Sequence, residues 1–155
     1  MSNGMVSDVY TFVHSSTEPQ HALGTVKTTP DGKAYRYIRN NATTAISTAG
    51  YPAVDVGTVG SWVVSPTVTA ATQACRGVYM AAMAVSEYGW IQCKGLYESA
   101  YVTAAVATLG YPLKIVTLGY FDLADAAGDP QCGIAGEIVT AAVTDGTFAV
   151  HLNCP

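Results

Sequence analysis

From Val9 onward the chain divides into short apolar segments punctuated by turn residues at roughly ten-residue spacing, a rhythm that admits few folds. Segments this short, and rich in Val, Thr and Tyr, suit strands better than helices. The pattern therefore predicts a mainly β protein, a sandwich or barrel. Residues 1–8 (Met1 to Asp8) show no period and read as a short, flexible N-terminal arm, which leaves 9–155 as a single β domain. Met5 and Val6 are the apolar pair within that arm, and a neighbouring surface could bury them.

Two of the turns carry their own mechanism. Pro30-Asp31-Gly32 lies between His21–Thr28 and Ala34–Arg39; Gly supplies the positive φ of a hairpin turn and Asp bonds back to the chain. On the far side Tyr35 and Tyr37 alternate with Arg36 and Ile38, the period of a strand. Asp145-Gly146 joins Ile138–Val143 to Phe148–Leu152 in the same manner. In that last strand Phe148, Val150, Leu152 and Cys154 share one face, expected to be core, and Ala149, His151 and Asn153 share the other. Helix competes over Gln73–Glu87, rich in Ala and Met, and over Tyr97–Leu109. Gly77 interrupts the first, and Val, Thr and Tyr populate both, so strand is the expectation for each. Val-Thr-Ala-Ala recurs at 68–71, 102–105 and 139–142, which in a chain crowded with these residues reads as coincidence.

Composition then removes whole classes of function. The 155 residues include 7 basic and 11 acidic ones, a net charge of −4 and a charged share of 12%. A nucleic-acid binder needs a cationic footprint, and a disordered chain needs a polar, highly charged composition; neither describes this sequence. The longest unbroken apolar run, Val78–Val85, is eight residues, against about twenty for a membrane helix. The first twenty residues carry Asp8 and Glu18 but no Lys, Arg or apolar stretch, so no secretory leader is expected. A domain of this size buries about 70% of its extended surface and needs no disulfide or metal to fold. Its surface must consist largely of Ala, Thr, Ser, Val and Gly. Burial of part of it against other subunits would account for the composition.

Residues able to carry chemistry are scattered. His14, His21 and His151 stand in unrelated contexts, and His151 falls on the outward face of the last strand, the place of a solvated histidine. No metalloprotease, nucleophile-elbow or phosphate-loop pattern occurs. Asp122, Asp125 and Asp129 invite a calcium reading. The alternating oxygen ligands and distal Glu of a calcium loop are missing, and the segment reads as a solvated acidic loop. Cys75, Cys93, Cys132 and Cys154 are single, without the paired spacing of a zinc site. They read as reduced, packed thiols, Cys93 and Cys154 on interior faces, with disulfides formed on exposure to oxygen as the alternative. Ten tyrosines, with Trp62 and Trp90, suit a protein interface better than a sugar site, since no cluster of Asp, Asn and rings accompanies them. No catalytic residue, cofactor or metal is expected, and the chain does not read as an enzyme.

Several stretches taken in order resemble a known family. Leu23-Gly24-Thr25-Val26-Lys27, followed by Asp31-Gly32-Lys33-Ala34-Tyr35-Arg36-Tyr37-Ile38, resembles the opening hairpin of the head decoration, or capsid cement, proteins of tailed bacteriophages. Tyr88-Gly89-Trp90-Ile91-Gln92-Cys93-Lys94-Gly95 resembles their central strand, ending at a Gly. Gly110-Tyr111-Pro112-Leu113, Gly133–Glu137 and Thr144–Leu152 resemble their closing strands, so the likeness runs from Val9 to Asn153.

The resemblance implies a structural virion protein, made in the host cytoplasm and seated on the outer capsid surface. Such proteins are oligomers, commonly homotrimers, that clamp neighbouring major capsid protein subunits. It implies a compact antiparallel β-barrel or sandwich, an arm reaching over the shell, and no catalytic residue or cofactor. Tyr88, Gly89, Trp90 and Gly95 carry over as fold residues, a strand and its bounding turns. Met5 and Val6 lie ahead of the likeness and are expected as capsid contacts of the arm because they are apolar and a neighbouring subunit or the capsid floor could bury them. The chain departs from the family pattern in its four cysteines and in Tyr79, where a smaller or aliphatic side chain is expected. A tail or neck structural protein, or a glycan- or receptor-binding module of the virion, is the alternative. Neither nucleic acid nor membrane is an expected partner.

Overall fold

The computed structural model describes residues 12–41, 43–56, 58, 60–67, 73–102, 109–116, 119–124, 133–136 and 146–154. The arm at 1–8 with Met5 and Val6, the boundary at Val9, Ile138–Val143, Asp125, Asp129 and Cys132 lie outside the described residues. So do the Val-Thr-Ala-Ala stretches, Val102 excepted.

Among the described residues there are ten strands and no helix, so the mainly β expectation holds. They are β1 (Val26–Thr28), β2 (Ala34–Asn40), β3 (Pro52–Asp55), β4 (Val63–Ser65), β5 (Cys75–Tyr79), β6 (Tyr88–Val102), β7 (Pro112–Val116), β8 (Tyr120–Leu123), β9 (Gly133–Ala135) and β10 (Gly146–Asn153). Neither stretch in which helix competes is helix where it is described, but strand holds only in part. In the first it covers β5 alone, the rest being turns and irregular backbone apart from a single bridge at Met83, and in the second it runs to Val102 as the second half of β6. Of His21–Thr28, only Val26–Thr28 is strand. The hairpin turn closes as expected, with Gly32 N donating to Thr29 O and Thr29 N to Lys33 O, both at 3.0 Å.

Strand pairing closes on itself twice, giving a compact barrel architecture. One circuit runs β2, β4, β3, β5, β6 and back to β2; the other runs β6, β10, β9, β7, β8 and returns through Val102 and Phe121. A ring with an odd number of strands cannot be antiparallel throughout. Each circuit accordingly holds one parallel contact, β2 with β4 and β6 with β8, within an otherwise antiparallel pattern. The two interiors are filled in the same way. Ile38, Val64, Ala53, Tyr79 and Ile91, one from each strand of the first circuit, form one buried cluster. Val102, Val150, Ala135, Leu113 and Phe121 do the same for the second. Phe148, Val150, Leu152 and Cys154 are buried while His151 and Asn153 are exposed, the division expected from the sequence.

The strand common to both circuits is β6, fifteen residues long. Tyr88–Lys94 pairs with β2, and Lys94–Val102 pairs with β10. The exchange of partners falls at Gly95, whose φ of +92° strains any residue with a Cβ. A Cβ there would also stand 2.9 Å from Lys33 Cγ. The resemblance suggested a strand ending at this glycine. Instead Gly95 lets the strand kink, change partners and continue, because only glycine adopts that backbone without cost.

Candidate functional site

On β2 and β6, alternation sorts side chains into an interior row and an outer row. Tyr37 stands opposite Trp90, Tyr35 opposite Gln92 and Arg39 opposite Tyr88, all on the outer row. An outer row so rich in rings would be a poor surface, and the chain segment ahead of β1 covers it. Phe12 stacks on Tyr35 at 4.0 Å between ring centroids and meets Trp90 edge-on at 5.1 Å. His21 approaches both Tyr37 and Trp90 at 5.2 Å. The Lys27 ammonium lies 5.2 Å from the Trp90 ring, within cation–π range.

Backbone bonds hold this cover in place. Ser16 and Tyr88 exchange two hydrogen bonds, at 2.9 and 2.8 Å, and Gln20 N donates to the Tyr37 hydroxyl at 2.9 Å. Between cover and strands remains a recess of about 290 Å³ walled by His14, Ser16, His21, Tyr37, Tyr88 and Trp90. Gly89 lets the layers approach: a Cβ there would meet Met83 Cε at 2.3 Å and His14 O at 3.3 Å.

The structure thus brings Tyr88, Gly89 and Trp90 together at one place, with Gly95 farther along the same strand. Trp90 is 3% exposed and serves as the centre of a third small core, beside the two barrel interiors. Phe12, His14, His21 and Tyr37 complete the site. Sequence spacing could not have found them, since they meet Trp90 only through the tertiary fold. Chemically the recess offers ring edges, imidazoles and hydroxyls. Among the described residues no hydrogen-bonded nucleophile–base pair is found there, and no group of three or more His, Cys, Asp or Glu could hold a metal ion.

A second feature lies on the other circuit. The turn ahead of β7 is held to β9 by bonds from Gly110 N to Ala135 O and from Ala135 N to Tyr111 O, both 2.9 Å. Leu109 (61% exposed) and Tyr111 (38%) in the segment ahead of β7, and Ile134 (44%) on β9, each expose an apolar side chain to solvent. His151, opposite Ile134 across the β9–β10 pair, is exposed there too.

Three thiols are buried, as expected. Cys93 donates to Ala34 O at 3.3 Å, and Cys75 Sγ lies 3.5 Å from Cys154 Sγ. The hydrogen bond to Cys75, together with burial, holds the Cys154 thiol well above its ordinary pKa; burial raises Cys93 as well. Arg36 and Lys94 act electrostatically on Cys93, and Arg76 on Cys154; Arg76 is ion-paired to Asp55, its Nε donating to Oδ2 at 2.6 Å. No protein-family model matches the chain, and no curated protein matches it in sequence.

Proposed function

We propose that this chain is a structural virion protein that decorates a phage capsid, binding the outer surface of the major capsid protein as a homo-oligomer, most simply a trimer. The observation that carries the reading is the exposed apolar group Leu109, Tyr111 and Ile134 on a chain with only 12% charged residues. Several large apolar side chains exposed on the paired β7 and β9 segments of a weakly charged domain suit a contact with protein. The ordered likeness of the opening hairpin, the Tyr88–Gly95 stretch and the closing strands to cement proteins supplies the partner. Cement acts by mass action: whatever binds the assembled shell and not its dissociated subunits shifts the equilibrium toward the shell. No catalytic step is part of this role.

A glycan-binding role is the weaker alternative, because the Trp90 and Tyr37 rings are almost wholly buried and leave no open face for a sugar to stack on. The test is mass spectrometry of purified particles together with binding to capsids stripped of cement. Copy numbers in fixed ratio to the major capsid protein, and heat-stabilised capsids on re-addition, are the expected results. A few copies per particle, located at the neck or tail by electron microscopy, would overturn the capsid assignment.

A further inference from the structure

We infer that Cys75 and Cys154 form an oxidation site, a pair of thiols set to close into an intramolecular disulfide that ties the two strand circuits together. Cys75 opens β5, which belongs to the first circuit; Cys154 directly follows β10, which belongs to the second. Their sulfurs are already 3.5 Å apart across 79 residues of sequence. A disulfide requires about 2.05 Å, so closure asks for a movement of roughly 1.5 Å, within the reach of side-chain rotation and a small backbone shift. Cys154 is anchored as well by its N, which donates to Cys93 O at 2.9 Å, so the end of β10 is held to β6, the strand paired with β5, before any bond forms. Cys93 is the natural competitor, and its thiol is instead engaged with the Ala34 carbonyl.

The oxidant is a small-molecule disulfide. When the end of β10 opens, the Cys154 sulfur gives up its proton and attacks one sulfur of the oxidant, expelling a thiolate that takes up a proton. Cys75 then attacks the Cys154 sulfur of the mixed disulfide, and its own proton goes to the second departing thiolate. Two electrons leave the protein pair, and one disulfide becomes two thiols. Because both sulfurs are buried and Cys154 resists ionisation, the reaction is slow and selects for the pair that proximity favours. The inference is independent of what the protein binds.

The experiment incubates the full chain, in the Cys132→Ser form, with oxidised glutathione, then blocks remaining thiols and digests with trypsin. Cleavage after Lys and Arg puts Cys75 in 40–76, Cys93 in 77–94 and Cys154 in 115–155, so each possible link has its own mass. The expected product joins 40–76 to 115–155, and the oxidised protein unfolds at a higher urea concentration than the same sample after dithiothreitol. Cys93→Ser should leave the product unchanged, and Cys154→Ala should abolish it and the shift in midpoint together. A link involving 77–94, or blocked free thiols at both Cys75 and Cys154 after prolonged oxidation of folded protein, would overturn the inference.

Discussion

The hydroxyl of Tyr79 in β5 donates to Oδ1 of Asn40 in β2 at 2.9 Å, with both side chains fully buried inside the first circuit. The amide of Asn40 is used in full, since its Nδ2 donates to Thr44 O at 2.8 Å and to Ala84 O at 3.0 Å. One buried side chain therefore ties two connecting segments to the end of β2. The large residue at 79 answers that arrangement: its ring fills the barrel and its tip supplies the donor a buried amide oxygen requires.

Removing that donor should be costly even though the ring remains. Tyr79→Phe leaves Asn40 Oδ1 unsatisfied away from water, a penalty of about 1–3 kcal/mol. Urea unfolding should show a lower midpoint with an unchanged slope. A midpoint equal to that of the wild type would mean that the amide oxygen finds another donor, and that the pairing with Tyr79 adds little.

Trp90→Ala should cost more, about 3–5 kcal/mol, because it empties the middle of the cluster of Phe12, Tyr35, Tyr37 and His21. The loss should appear as a thermal midpoint many degrees lower. It should also loosen the cover, which hydrogen exchange would report as faster exchange at the Ser16 and Gln20 amides. A midpoint within a degree or two of wild type would place the ring outside the packing described for it.

The strands that alternation predicts are those whose two faces meet different surroundings. β10 is legible because Phe148, Val150 and Leu152 face a barrel interior while His151 and Asn153 face solvent. The β2–β6 region is less so: both faces of it are covered, by Ile38 and Ile91 inside and by Phe12 and His21 outside, and alternation loses its polar half. Within Gln73–Glu87 only β5 is strand, buried at every position, a setting that rewards pairing over propensity; the Ala- and Met-rich part after it is neither helix nor strand apart from the bridge at Met83. The double closure through β6 was not readable, since it depends on a change of partners at Gly95 and not on any local pattern. Of the aromatic residues quoted for the resemblance, Tyr35, Tyr37, Tyr88 and Trp90 meet at one place while Tyr111 and Phe148 stand on the other circuit, and Phe12 and His21, which cover the four, come from outside the quoted stretches.

Alkaline solution should destabilise the fold through its buried phenols. Burial, with lesser contributions from Tyr101 and Tyr35, pushes Tyr97 up to about 12, and burial raises Tyr79 well above the ordinary tyrosine value. In the unfolded chain both titrate near 10, so above that pH the unfolded state sheds protons that the folded state keeps. The contribution is therefore fully present below about pH 10 and is lost as the pH rises through about 12. For Tyr97 it amounts to roughly 1–2 kcal/mol once its partial exposure is allowed for. Thermal midpoints should fall between pH 10 and 12, and tyrosinate absorbance should rise in step with unfolding for these two rings. Complete tyrosine titration in the folded protein near pH 10 would contradict the burial of both.

The exposed apolar group gives the proposed assembly its sharpest test. Ile134 is exposed on β9, across from His151 and outside the buried clusters, so a charge placed there disturbs no core. Fully burying such a side chain at a contact contributes about 1.5–3 kcal/mol. Replacing it with Asp should therefore weaken association by roughly ten- to a hundredfold per contact. The monomer should melt within a degree or two of wild type, while sedimentation at tens of micromolar moves toward monomer and binding to cement-free capsids falls. Val85, similarly exposed but on the segment leading into β6, serves as the comparison: Val85→Asp should change neither association nor binding. If Ile134→Asp and Val85→Asp behave alike, the group on β7 and β9 is ordinary surface, and the contact with the shell must be sought elsewhere on the molecule.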